Sequence, residues 1–122
     1  MEPSSLKATV PTQRAAMKKR ILFVDDDLQA LNALKALVNP LAREWTLSFA
    51  LGGAEALALI RNSVFEVVVT DLGMPGVDGR QVLEQVRAIH PATIRVAFSG
   101  PEDMHQLAQS IGLVHQALPR PC

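Results

Sequence analysis

Short apolar runs alternate with helix-like stretches along this chain, and that alternation is the strongest constraint on what it can fold into. "RILFV" (20–24), "WTLSFA" (45–50), "FEVVVT" (65–70), "TIRVAF" (93–98) and "VHQAL" (114–118) are brief and rich in apolar or β-branched residues. They read as strands, the third and fourth buried on both faces. Between them lie four predicted helices. Residues 28–38 repeat leucine at 28, 31, 34 and 37, one apolar stripe, and 53–62 consist of good helix formers. Residues 79–90 put Val82, Leu83, Val86 and Ile89 on one face and stop at Pro91, while 102–112 form a weaker fourth helix ending at Gly112. Strands joined by crossovers of this length pair in parallel, with right-handed connections and helices on both faces. The expected class is α/β, an open doubly wound sheet of five strands.

The strand ends carry the chemistry. "ILFVDDDLQAL" (21–31) runs four apolar residues into Asp25, Asp26 and Asp27, and the third strand ends at Asp71. Ligands of open parallel sheets bind at the carboxyl ends of the strands, beside the point where strand order reverses. If the first and third strands are neighbours, Asp25, Asp26 and Asp71 converge in one crevice. Adjacent carboxylates raise one another's pKa unless a cation separates them. All-oxygen ligands suit a hard divalent ion such as Mg²⁺.

"VDDD" after the first strand, "TDLGMPGVDG" (70–79) after the third and "AFSG" (97–100) after the fourth together resemble the receiver domain of two-component response regulators. The resemblance extends from about Lys19 to Pro121 and implies a flavodoxin-like sheet of order 2-1-3-4-5. It implies that Asp71 is the phosphoryl acceptor, that Asp26 binds Mg²⁺ directly, that Asp25 assists through a water, and that Gly73 offers its backbone carbonyl. Ser99 would donate its hydroxyl to a phosphoryl oxygen. Receivers commonly carry lysine followed by proline after the fifth strand; here "LPRPC" places Arg120 before Pro121. Arginine keeps the charge and binds phosphate, but it is longer and planar. Three residues earlier, where many receivers have Tyr or Phe, stands Ala117, and the chain has no tyrosine. Aromatic switching at that position cannot operate.

Ordinary structural roles compete for several of these residues. Asp27 and Asp78 read as helix N-caps, and "SGPE" (99–102) as a capping box with Glu102 reaching back to Ser99. Arg120 is also readable as a plain surface charge. His90, His105 and His115 lack ligand spacing for zinc. Gly52–Gly53 reads as a helix-entry turn, Met74–Pro75 as a loop-shaping element, and Trp45 and the four phenylalanines as core or half-buried strand residues.

Residues 1–16 read as a flexible extension, and "MKKRILFV" from Met17 is a natural start, which leaves 17–122 as a receiver without its last helix. The ending suggests a domain cut from a longer protein and resembles receivers fused to HD-superfamily output domains. Twelve basic and twelve acidic residues cancel, so no overall field favours nucleic acid or a membrane surface. One cysteine, Cys122, and no transmembrane-length apolar run point to the cytoplasm. The resemblance implies a sensor histidine kinase or phosphotransfer protein as phosphodonor and a covalently linked output domain outside this chain. A homodimer is left open. The function expected is Mg²⁺-dependent acceptance of a phosphoryl group, by a module that turns over no external substrate. The alternatives are a pseudo-receiver used for docking and a haloacid dehalogenase-type phosphatase, whose Asp-x-Asp spacing Asp25 and Asp27 match.

Overall fold

The computed structural model describes residues 18–103, 108–110 and 112–119. The expected extension 1–16, the middle of the expected fourth helix and Arg120 lie outside the described residues. Five parallel strands, β1 (Lys19–Asp25), β2 (Trp45–Leu51), β3 (Val67–Asp71), β4 (Ile94–Ser99) and β5 (Gln116–Pro119), form one sheet of order β2-β1-β3-β4-β5. Three helices among the described residues connect the first four strands: α1 (Leu28–Val38), α2 (Gly53–Asn62) and α3 (Gly79–Ile89). The expected α/β class and strand order are what the chain adopts.

The helix starts follow from capping chemistry. Asp27 accepts at Oδ1 from the N–H groups of Gln29 (2.9 Å) and Ala30 (3.5 Å), and so opens α1. At α3 the Asp78 carboxylate accepts from Gln81 N–H while the Gln81 side chain accepts from Asp78 N–H, each at 2.9 Å, a reciprocal capping box. Both aspartates therefore take the structural role expected for them. In the segment expected to be a capping box at Ser99, the turn described lies one residue on. Asp103 N–H donates to Gly100 O, and Gly100 N–H donates to Asp103 Oδ2, both at 3.0 Å.

The sheet separates two apolar layers. On one face α2 and α3 bury Ala56, Ile60, Val82 and Val86 against Leu22, Val24, Ala50 and Val68, with Phe65 and Met74 filling the ends. On the other face α1 is the helix, among the described residues, that lies over Ile21, Phe23 and Val69. Two expectations need correction on this second face. The leucine stripe of α1 is narrower than expected, because only Leu31 and Leu34 are buried, while Leu28 is 55% exposed and Leu37 63%. Steps of three residues fall about 60° short of a full turn, so four such leucines fan over about 180° of the helix and only the middle pair faces the sheet. Strand β4 is not buried on both faces. Ile94 is 49% exposed and Val96 and Phe98 are half-buried, since no helix among the described residues crosses that half of the sheet. Strand β5 is exposed along its length. An apolar cleft of about 480 Å³, lined by Trp45, Val67, Ile89 and Ile94 among others, opens at the amino ends of the strands.

One buried cation ties β5 to the sheet. The Arg95 guanidinium donates to three main-chain carbonyls, those of Leu113 (2.6 Å), Pro91 (3.1 Å) and Thr93 (3.2 Å). Arg95 N–H donates to His115 Nδ1, and His115 N–H returns a bond to Arg95 O. His115 is thus a strand-end clamp.

The contrast along α1 is testable. Leu34→Ala is expected to cost about 2–5 kcal/mol, the loss typical of a buried leucine, and Leu37→Ala to stay within about 0.5 kcal/mol. Urea denaturation followed by far-UV circular dichroism measures both; equal losses would contradict the orientation of α1.

Candidate functional site

The pairing of β1 with β3 runs as far as Val24 opposite Thr70, so Asp25 and Asp71 are the next residues out on neighbouring strands. Asp26 follows on the turn into α1. One oxygen from each of Asp25, Asp26 and Asp71 lies within 4.8 Å of the others. Their surroundings differ: Asp71 is buried at 4% exposure, Asp25 is half-buried, and Asp26 is exposed.

This closeness has an electrostatic cost that falls on Asp25. Its carboxyl is pushed above the usual carboxylate range, first by burial and then by the charges of Asp71 and Asp26. The Asp27 N–H, donating to Asp25 Oδ1 at 2.9 Å, pulls the other way without cancelling these effects. The donor set is all oxygen, which fits a hard divalent cation such as Mg²⁺. Octahedral ligands at about 2.1 Å span about 4.2 Å across the ion, so small side-chain rotations or one water-mediated carboxylate accommodate the spacing.

The carboxyl end of β3 is held from several sides. Thr70 Oγ1 donates to Asp71 O at 3.0 Å, Leu72 N–H continues the ladder onto Phe98 O at 3.3 Å, and Gly79 N–H donates to Leu72 O at 3.2 Å. Beyond Asp71 the loop alternates. Leu72 and Met74 are buried, and Gly73 between them is exposed, two residues from Asp71. Gly76 turns the loop with φ +69°, a left-handed conformation that favours glycine.

Ser99 ends β4. Because Asp71 pairs with Phe98, Ser99 lies one residue further out on the adjacent strand, half-buried, at the same end of the sheet. Its partner on β5 is Pro119, the last described residue before Arg120. The structure therefore brings Asp25, Asp26, Asp71, Gly73 and Ser99 to one end of the sheet. The apolar cleft lies at the other end, lined by none of these residues. Asp27 is engaged as the cap of α1, which leaves Asp25 and Asp27 without the paired role that a phosphatase of the Asp-x-Asp type would need.

Sequence reasoning missed Thr70 and the depth of Met74. An apolar residue inside a Gly- and Pro-rich loop was the available signal for Met74. Nothing in the residue pattern marked the Thr70 hydroxyl.

A family model described as the response regulator receiver domain matches residues 21–116. The chain belongs to the response regulator receiver family. The transcriptional regulatory protein ZraR of Salmonella typhimurium is 39% identical over 87 residues, covering 67% of this chain and 19% of that protein. The sensor protein GacS of Pseudomonas syringae pv. syringae is 30% identical over 86 residues, covering 70% of this chain and 9% of its own length. The receiver thus spans a minor part of either relative. Among solved structures, the adenylate cyclase from Rhodopirellula baltica superposes with a TM-score of 0.75 at 33% identity, over 87% of this chain and 78% of the other. The signal receiver domain of an HD domain-containing protein from Pseudomonas fluorescens Pf-5 gives 0.77 at 28% identity, over 85% and 83%. Receivers are signalling domains that generally bind Mg²⁺, and the acidic cluster of this one could hold such an ion. No helix among the described residues is long and apolar enough to cross a membrane.

A raised pKa has a defined sign in stability. The folded state holds the Asp25 proton more tightly than the unfolded chain, so stability falls as pH rises from the ordinary value of 3.8 through the raised one and stays lower above it. In EDTA at pH 7, Asp25→Asn is expected to melt a few degrees above wild type, since roughly 1 kcal/mol moves Tm by about 4–8 °C in a small domain. The gap should close as pH falls through that window. A variant that melts lower at pH 7 would refute the electrostatic reading.

Proposed function

We propose that this receiver takes a phosphoryl group from a phosphohistidine, on a sensor histidine kinase or phosphotransfer protein, onto Asp71. The observation that carries the reading is the placement of the buried Asp71 carboxylate beside Asp25 and Asp26. Isolated from a cation, that arrangement only costs energy; with one, it is a phosphoryl-transfer site.

An Asp71 carboxylate oxygen attacks phosphorus in line. The new bond is O–P, and the bond that breaks is the P–N bond of phosphohistidine, whose electron pair leaves with the imidazole nitrogen. A carboxylate and a phosphoryl group repel each other, so the transfer needs positive charge and alignment more than it needs acid–base chemistry. Bound Mg²⁺ supplies charge neutralisation of the phosphoryl oxygens. Asp26 would hold the ion directly, Asp25 through a water, and the Gly73 carbonyl would complete the protein ligands. The Ser99 hydroxyl donates to a phosphoryl oxygen, and the Arg120 guanidinium pairs with another. The burial of Asp71 restricts water around the acyl phosphate. The family supports a linked or partner output domain as the destination of the signal, as the name of the ZraR relative, a transcriptional regulatory protein, illustrates for that protein. The balanced composition gives this domain no net field to draw in nucleic acid.

Intact-protein mass after incubation with acetyl phosphate tests the reading. We expect a gain of one phosphoryl mass that requires Mg²⁺ and is absent in Asp71→Asn. A folded wild-type protein that gains nothing would favour a docking module without phosphorylation, and Arg120→Lys would then test whether the arginine is responsible.

A further inference from the structure

Two helices meet the loop after Asp71 with glycine as their first residue, and at both the glycine backbone lies against another backbone. Gly79 opens α3. A Cβ built there would fall onto the Asp71 carbonyl oxygen, 2.7 Å from Leu72 Cα and 2.9 Å from the Asp71 carbonyl carbon. Gly53 opens α2, where a Cβ would fall onto the Val77 carbonyl oxygen and lie 2.8 Å from Val77 Cβ. Positive φ occurs only at Gly52 and Gly76 among the described residues, so neither Gly53 nor Gly79 is there for conformational freedom. Alanine is the better helix former at such positions. What glycine supplies is the absence of a side chain.

The backbone under Gly79 is special by position. Asp71 C=O and Leu72 Cα lie in the chain between the Asp71 carboxylate and the Gly73 carbonyl, two of the groups assigned to the cation and the phosphoryl group. We infer that Gly79 is a positioning residue for the acceptor: its bare backbone seats the Asp71–Leu72 segment so that the carboxylate reaches Asp25 and Asp26. The inference rests on the role proposed above for Asp71.

The surroundings leave the segment little room to retreat. Leu72 is fully buried and its N–H is committed to Phe98 O. Helix α3 is equally constrained, by the Asp78–Gln81 capping box and by buried Val82, Leu83 and Val86. A methyl group at 79 must therefore displace one of two well-held partners, and the nearer is the acceptor's own carbonyl. Gly53 is the matched control. It is equally crowded, but the atoms it would move belong to Val77, six residues along the loop from Asp71.

The experiment compares Gly79→Ala and Gly53→Ala in the whole chain, by the Mg²⁺-induced rise in Tm and by the rate of phosphorylation from acetyl phosphate. We expect Gly79→Ala to weaken Mg²⁺ binding and slow phosphorylation by roughly tenfold or more, because displacements near 1 Å carry losses of that order. Gly53→Ala is expected to stay within about twofold of wild type, because the atoms it would displace all belong to Val77 and none to an acidic residue. Should Gly79→Ala melt too low to titrate, the measurements are repeated in trimethylamine N-oxide, which favours the folded state. Equal losses in the two variants, or Mg²⁺ binding by Gly79→Ala as tight as wild type, would overturn the inference. So would a Gly79→Ala protein that stays unfolded under conditions where Gly53→Ala folds, because that is a structural role. A folded wild type without any response to Mg²⁺ would instead overturn the functional reading beneath it.

Discussion

The direct parallel pairing of β1 against β3 is the contact on which the site depends. Parallel strands end at the same edge of the sheet, and the register of Val24 opposite Thr70 sets Asp25 and Asp71 side by side there. With any other strand between them the carboxylates would be at least one further strand spacing apart, about 4.8 Å more. The pairing is itself stabilised by burial: Leu22 and Val68 face α2 and α3, and Ile21, Phe23 and Val69 lie on the α1 face. Hydrophobic burial thus holds in place a cluster that electrostatics alone would disperse. Asp25 carries a raised pKa, first from burial and then from the charges of Asp71 and Asp26.

Most of this was legible in the residues. Alternating strand and helix periods gave the class, and the helices at 28–38 and 53–62 match their expected bounds because caps and breakers mark their ends: Asp27 before the first, and Gly52 and Ser63 around the second. The three acids were legible as a set because strand ends are where open parallel sheets bind ligands; Ser99 joined them only through the motif resemblance. The neighbouring of β1 and β3 was a different matter. Periodicity does not report strand order; the order came from motif resemblance, which the sheet topology bears out.

What stayed hidden depends on contacts distant in sequence. Leu28 and Leu37 carry the same spacing as Leu31 and Leu34, and only the placement of α1 over the sheet distinguishes them. Ile94, Val96 and Phe98 read as a fully buried run because composition cannot say whether a helix covers each face. Arg95 and His115 are polar residues whose joint role in holding β5 appears only when β4 and β5 are paired. Gly79 belongs to the same group, since "DG" marks a helix start in sequence but gives no sign that Asp71 lies directly beneath it.

A divalent cation held by Asp25, Asp26 and Asp71 would relieve the repulsion within that cluster. The most direct measurement is the melting temperature of wild type and Asp26→Ala, each in EDTA and in saturating Mg²⁺. We expect a crossing: the variant equals or exceeds wild type without metal, and falls below it once Mg²⁺ is present, because binding adds RT ln(1 + [Mg²⁺]/Kd) to wild type alone. A wild-type melting temperature that does not respond to Mg²⁺, or a variant that gains as much as wild type, would contradict it.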